Sequence, residues 1–303
     1  MIGVTGESAV RPVTGLPDSW QRTQREWPVM TRSVCRTRRR LRRSLRASGA
    51  GAAVLLALSA CSSSAGSEEG SDSAGSAEVS GQVTVFAAAS LEESFTTLGE
   101  TFEKQHPGTE VTFNFGGSDA LAAGITSGAP ADVFASASPK TMATVTDAGA
   151  TAGEPSTFVR NRLEIATLPG NPEGISALKD LTASGLKVVL CDEAVPCGAA
   201  ARKALVAGGV ELTPASYEQD VKAALTKVEL KEADAAVVYR TDVKAAGDKV
   251  TGVDFPEAAE AVNDYPIAVL EDAPNAGAAK AFVELVRSGE GQRVLTDAGF
   301  STP

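Results

Sequence analysis

Between Gln82 and Pro303 the apolar residues come in short runs separated by longer stretches of helical spacing. The short runs predict strands at Val83–Ala87, Val111–Phe115, Asp132–Ala135, Leu163–Thr167, Lys187–Leu190, Ala235–Tyr239 and Ile267–Leu270. The stretches between them predict helices, among them Leu91–Gln105, Ala120–Ser127, Gly198–Ala207, Val221–Val228 and Ala276–Ser288. Strands alternating with helices imply an α/β fold with mostly parallel sheets. A length of about 220 residues suits one large domain or two lobes of ordinary size. No internal repeat is evident.

The pattern is different upstream. Thr31 to Arg46 carries eight arginines, and Ala50 to Ala60 reads AGAAVLLALSA. A basic stretch before a short apolar run is a secretory signal, too short to stay in a bilayer as a spanning helix. It ends in Leu58-Ser59-Ala60-Cys61, which resembles the lipobox of bacterial lipoproteins. That resemblance implies that Cys61 is acylated and becomes the new N-terminus; the alternative is a plain signal with an incidental cysteine. Residues 1–29 precede Met30, show no export character and are consistent with an over-extended start. Ser62 to Ser80 has Val79 as its one large apolar residue and reads as a disordered tether, spanning about 24 Å root-mean-square. The expected organisation is a signal region (1–60), a lipidated cysteine with its tether (61–81), and then the globular part. The protein is thereby expected to be exported and held on the outer face of the cell membrane.

Removing the signal changes the charge. The chain carries 28 basic and 38 acidic residues, and residues 1–60 hold 11 and 3 of them. The remainder has 17 basic and 35 acidic residues, a net charge of −18. Such a surface argues against nucleic acid and anionic membrane as partners. It also means that whole-molecule charge does not attract an anion. The single histidine, His106, excludes a histidine-rich metal site and a Ser-His-Asp triad. With Cys35 in the signal and Cys61 in the lipobox, Cys191 and Cys197 remain as a pair in an oxidising compartment.

The candidate chemistry lies where strands run into helices. Val83 to Glu93 reads VTVFAAASLEE, and Ser90 with Glu93 fits a capping box. The other reading is that Ser90 and nearby N–H groups face an anion at a helix N-terminus. FGGSDAL at Phe115–Leu121 repeats the construction, with two glycines before Ser118. Pro196-Cys197-Gly198 and Asp220-Val221-Lys222 precede two further helices. None of these junctions is unusual alone. Together they offer four helix starts whose free N–H groups can converge on one negative ligand.

These segments, in this order, resemble the periplasmic molybdate-binding proteins of ABC transporters. The matches are VTVFAAASL, FGGSDAL, GAPADVFASA at Gly128–Ala137, VPCG at Val195–Gly198, and DVKAALTKVELKEADAAVVY at Asp220–Tyr239. The resemblance implies a two-lobed, type II-like periplasmic-binding-protein fold with the ligand in the interlobe cleft. Lobe 1 would comprise 82–160 plus 262–303, and lobe 2 would comprise 161–261. It further implies that Ser90, Ser118 and Tyr239 donate hydroxyls to the anion, and that Cys197 and Val221 donate backbone N–H groups. It implies no cofactor and no enzymatic activity. The implied partners are molybdate or tungstate, the membrane permease of an ABC importer and the bilayer through acylated Cys61, with the protein a monomer.

One position departs from the family pattern: Cys197 replaces the alanine of a VPAG turn. A Cys191–Cys197 disulfide would close a short loop and hold that N–H, worth about 2 kcal/mol by chain entropy. The rival is a redox-active pair, since a helix start lowers a thiol pKa, although the spacing is not C-x-x-C. The remaining alternatives are a receptor for sulfate or another tetrahedral oxyanion and, from another class, a secreted thiol–disulfide enzyme. A donor-only shell suits a tetrahedral dianion that brings no proton, whereas phosphate at neutral pH carries a proton and calls for an acceptor.

Overall fold

The structure is a computed structural model that describes residues 79–303. The arginine-rich stretch, the apolar run, Cys61 and most of the tether lie outside the described residues. The chain first builds β1 (Gly81–Ala88), α1 (Glu92–Gln105), β2 (Thr109–Gly116), α2 (Ser118–Thr126), β3 (Val133–Ala135), α3 (Pro139–Asp147) and β4 (Ser156–Asn161). One residue later, β5 (Leu163–Thr167) belongs to another sheet. It is followed by β6 (Val188–Cys191), α4 (Pro196–Ala207), β7 (Ser216–Glu218), α5 (Val221–Glu229), β8 (Ala235–Tyr239), α6 (Arg240–Ala246) and β9 (Thr251–Val253). A 3-10 turn, Pro256–Ala261, leads back through Val262 to β10 (Asn263–Val269), α7 (Ala276–Arg287) and α8 (Gly289–Ala298).

The result is two lobes, each with a five-stranded sheet, ordered β2-β1-β3-β10-β4 and β7-β6-β8-β5-β9. The seven runs picked out by apolar pattern include every interior strand. The strands the pattern misses, β4, β7 and β9, all lie at sheet edges. An edge strand needs less apolar surface: β7 is Ser-Tyr-Glu and β9 contains Gly252. The mostly parallel arrangement expected from the sequence is corrected. Each sheet has two parallel and two antiparallel pairings, because β10 returns antiparallel to both β3 and β4 while β5 enters antiparallel to β8 and β9.

The two cores differ in composition. In lobe 1, Phe95, Phe102 and Phe282 are fully buried, and the Phe102 and Phe282 rings meet edge to face with centroids 5.5 Å apart. Each such side chain contributes about 1.5–3 kcal/mol by burial. Lobe 2 packs small aliphatic residues, with Ala200, Ala201 and Ala204 on α4 and Ala224, Leu225 and Val228 on α5.

Candidate functional site

The carboxyl ends of β1, β2 and β8 and the first turns of α4 and α5 face one another across the lobes, the usual position for a ligand in open α/β sheets. They enclose a small cavity lined by Ser90, Gly117, Ser118, Ala137, Pro196, Cys197, Asp220, Val221 and Tyr239, among others. All five ligand residues read from the sequence therefore lie around one space, two from lobe 1 and three from lobe 2. Its volume is about 20 Å³. So small a space admits one compact ligand and not an extended one.

The local geometry differs from the capping-box reading of Ser90. Ser90 lies in a 3-10 turn, Ala89–Leu91, and α1 is capped by Leu91 without any side-chain bond. The Ser90 hydroxyl instead meets the Tyr265 hydroxyl at 2.8 Å, out of reach of the helix N–H groups. Ser118 opens α2 after Gly117, and its hydroxyl accepts from the Ala137 N–H at 3.0 Å. In α5 the Asp220 side chain caps the Ala223 N–H at 2.9 Å, which leaves Val221 at the first helical position. In α4 the corresponding first position is Pro196, and Cys197 follows it. N–H groups in a first turn have no partner within their helix and carry its positive end.

Two glycines permit this approach. A Cβ on Gly198 would stand 1.9 Å from the Asp192 carbonyl oxygen, so only glycine lets the start of α4 fold back on the preceding loop. A Cβ on Gly117 would stand 2.6 Å from the Gln219 carbonyl oxygen, which belongs to the other lobe. The Cys191–Cys197 disulfide, with Cα atoms 5.8 Å apart, ties the end of β6 to the first turn of α4.

Apart from Asp220, the side chains lining the cavity are neutral. Burial, with the neighbouring Tyr265 next in effect, raises the Tyr239 hydroxyl well above its ordinary value, so it stays protonated and able to donate. Asp220 is the charged residue among those lining the cavity, and its carboxylate is engaged at the start of α5. Behind the site, Lys222 bridges the lobes: its Nζ is 2.5 Å from Glu93 Oε1 and 3.6 Å from Asp242 Oδ1. Burial raises the Asp242 carboxyl to about 7, against the opposing effects of Lys222 and of the Tyr239 N–H that it accepts. Sequence reasoning missed Asn161, Lys222, Asp242, Asn263 and Tyr265. The available signal was the polar Asn263 and the hydroxyl of Tyr265 in a strand that continues as Pro-Ile-Ala-Val.

Comparison with known proteins places this geometry in a family. The profile of bacterial extracellular solute-binding proteins matches residues 83–301. The molybdate-binding protein ModA of Mycobacterium tuberculosis H37Rv is 45% identical over 230 residues, covering 76% of this chain and 88% of that protein. Among solved structures, the periplasmic molybdate-binding protein of Azotobacter vinelandii superposes with a TM-score of 0.65 at 20% identity, covering 73% of this chain and 99% of that one. The sulfate-binding protein SubI of M. tuberculosis superposes almost as well, with a TM-score of 0.63 at 20% identity, covering 73% of this chain and 86% of that one. At such identity the two structures speak for the fold alone. The profile match over nearly the whole described region settles the wider kinship: the chain belongs to the bacterial extracellular solute-binding protein family.

Proposed function

We propose that this protein captures molybdate, and tungstate as well, between its lobes and delivers it to the membrane permease of an ABC importer. The observation that supports the reading is a small cavity lined by Ser90, Ser118, Cys197, Val221 and Tyr239 together; in this proposal Ser90, Ser118 and Tyr239 supply hydroxyls and Cys197 and Val221 supply helix-start N–H groups. Such a shell binds a proton-free dianion without any lysine or arginine, consistent with the acidic surface. The 45% identity to a protein named for molybdate binding supports the choice of ion. The ligand touches both lobes and so stabilises their closed arrangement. In the same proposal lobe 1 spans 82–160 plus 262–303, lobe 2 spans 161–261, and the exported monomer is held at the membrane by acylated Cys61.

A second reading is a receptor for sulfate or another tetrahedral oxyanion, since a shell of neutral donors suits any proton-free tetrahedral dianion. Sulfate has shorter bonds to oxygen than molybdate, and each buried donor left out of reach costs about 1–3 kcal/mol. Several such losses give at least a thousandfold preference for molybdate, on the order of 4 kcal/mol. In a melting experiment on the purified protein, molybdate and tungstate at a hundred times their dissociation constant should stabilise by about 2.7 kcal/mol. Sulfate and phosphate should do nothing at a thousandfold higher concentration. Equal stabilisation by sulfate refutes the assignment of the ion. Intact mass of the membrane fraction tests the anchor: a chain starting at an unmodified Cys61, or a Cys61→Ser protein that stays membrane-bound, would rule it out.

A further inference from the structure

Each of the three cavity hydroxyls has a partner behind it. Ser118 accepts from the Ala137 N–H at 3.0 Å, and that group can only donate. The Tyr239 hydroxyl is 2.8 Å from Asn263 Nδ2. The same nitrogen is 2.8 Å from the Ala137 carbonyl oxygen, which fixes the amide orientation, because a flipped amide would set two oxygens against each other. Asn263 therefore donates to Tyr239. The Ser90 hydroxyl is 2.8 Å from that of Tyr265, which is approached by Asn161 Nδ2 at 3.4 Å. The Asn161 amide is also fixed, since its oxygen accepts from the Arg162 N–H at 3.0 Å and its nitrogen donates to Thr241 Oγ1 at 2.9 Å. With Asn161 donating to it, Tyr265 has its own hydrogen to give to Ser90.

We infer that Asn263, and Tyr265 with Asn161, are positioning residues that set the polarity of the ligand hydroxyls: each hydroxyl accepts from the protein, so its single hydrogen is left for the anion. A free hydroxyl can turn either a hydrogen or a lone pair toward its ligand. One that already accepts from a buried donor loses that freedom, and the three hydroxyls become donors toward the cavity by construction. Both asparagines sit where the chain passes between lobes, Asn161 ending β4 and Asn263 beginning β10. Through one nitrogen Asn263 joins Ala137 of lobe 1 to Tyr239 of lobe 2, so the Tyr239 hydroxyl is polarised in the closed arrangement.

The inference rests on the oxyanion reading, and its test separates the two. Calorimetry with molybdate is run on the wild type, Asn263→Ala, Tyr239→Phe and the double variant, and on Tyr265→Phe, Ser90→Ala and their double variant. Loss of a polarising donor should weaken binding about tenfold. In the Tyr239→Phe background Asn263→Ala should add less than about threefold, and Tyr265→Phe should add as little in the Ser90→Ala background. A merely structural role would lower affinity by the same factor in both backgrounds, and that result overturns the inference. So does wild-type affinity in Asn263→Ala and Tyr265→Phe. Tyr265→Phe keeps the ring that packs on Tyr239 and Phe300, so the question stays answerable if Asn263→Ala does not fold. A wild type that ignores molybdate refutes the oxyanion reading and this inference with it. Molybdate binding without coupling refutes this inference alone.

Discussion

Gly117→Ala is a test of lobe closure that leaves every ligand donor in place. Gly117 has φ −60° and ψ 128°, a conformation that alanine adopts freely, so the substitution brings no backbone strain. What it meets is the other lobe. The added Cβ falls 2.6 Å from the Gln219 carbonyl oxygen and 2.8 Å from Asp119 Oδ1. The Asp119 side chain can swing away; a backbone oxygen cannot. The contact is short of ordinary van der Waals separation by roughly 0.5–1 Å, so the lobes must part by about that much at this point. Overpacking of this kind costs about 1–3 kcal/mol. The cost falls on the closed form alone, so it is subtracted from binding, and affinity for molybdate should drop about 5- to 150-fold. Calorimetry gives the dissociation constant, and melting without ligand checks that the fold is intact. Wild-type affinity in a folded Gly117→Ala protein would mean that the ligand-bound lobes do not meet at Gly117 and Gln219, and the closed arrangement described here would be refuted as the binding form.

Ser118→Ala and Tyr239→Phe each remove one hydrogen bond to a charged ligand, so each should cost on the order of 1.5–3 kcal/mol, about ten- to hundredfold in affinity by calorimetry. For Asp242, the folded carboxyl titrates at about 7, above its unfolded value. The folded state then holds a proton that the unfolded state has released, and stability falls as pH rises from about 4 to about 7 and levels off above. Relative to wild type, Asp242→Asn should gain stability over that window, on the order of a few kcal/mol, in denaturant titrations at pH 4 and pH 8. A difference that does not change with pH would refute this. Replacing both Cys191 and Cys197 by serine should lower stability by about 2 kcal/mol. Binding should change less than tenfold, because the N–H at position 197 remains and Gly198 still lets the start of α4 pack on Asp192.

The chain's pattern by itself determined the α/β class and the interior strands, because each is a local property; the five proposed ligand positions came from the resemblance of its motifs to a family. A strand buried on both faces must be a short apolar run, as Val83–Ala87 and Ala235–Tyr239 are. A helix start must follow a strand through small or capping residues, as at FGGS and VPCG. What the sequence did not determine depends on atoms far apart along it. Edge strands such as β7 are held by their single neighbours, so their own residues carry little trace of pairing. Ser90 and Glu93 have the spacing of a capping box, yet Ser90 turns to Tyr265, 175 residues away, because that hydroxyl is buried beside it and needs a partner. Asn161, Asn263 and Asp242 are polar residues with no motif around them, and the motifs that hold Glu93 and Lys222 gave no sign that these two would meet each other. Asn161, Asn263 and Asp242 are buried in the folded protein, where each needs a particular partner, which is why the tertiary structure decided how the ligand hydroxyls point.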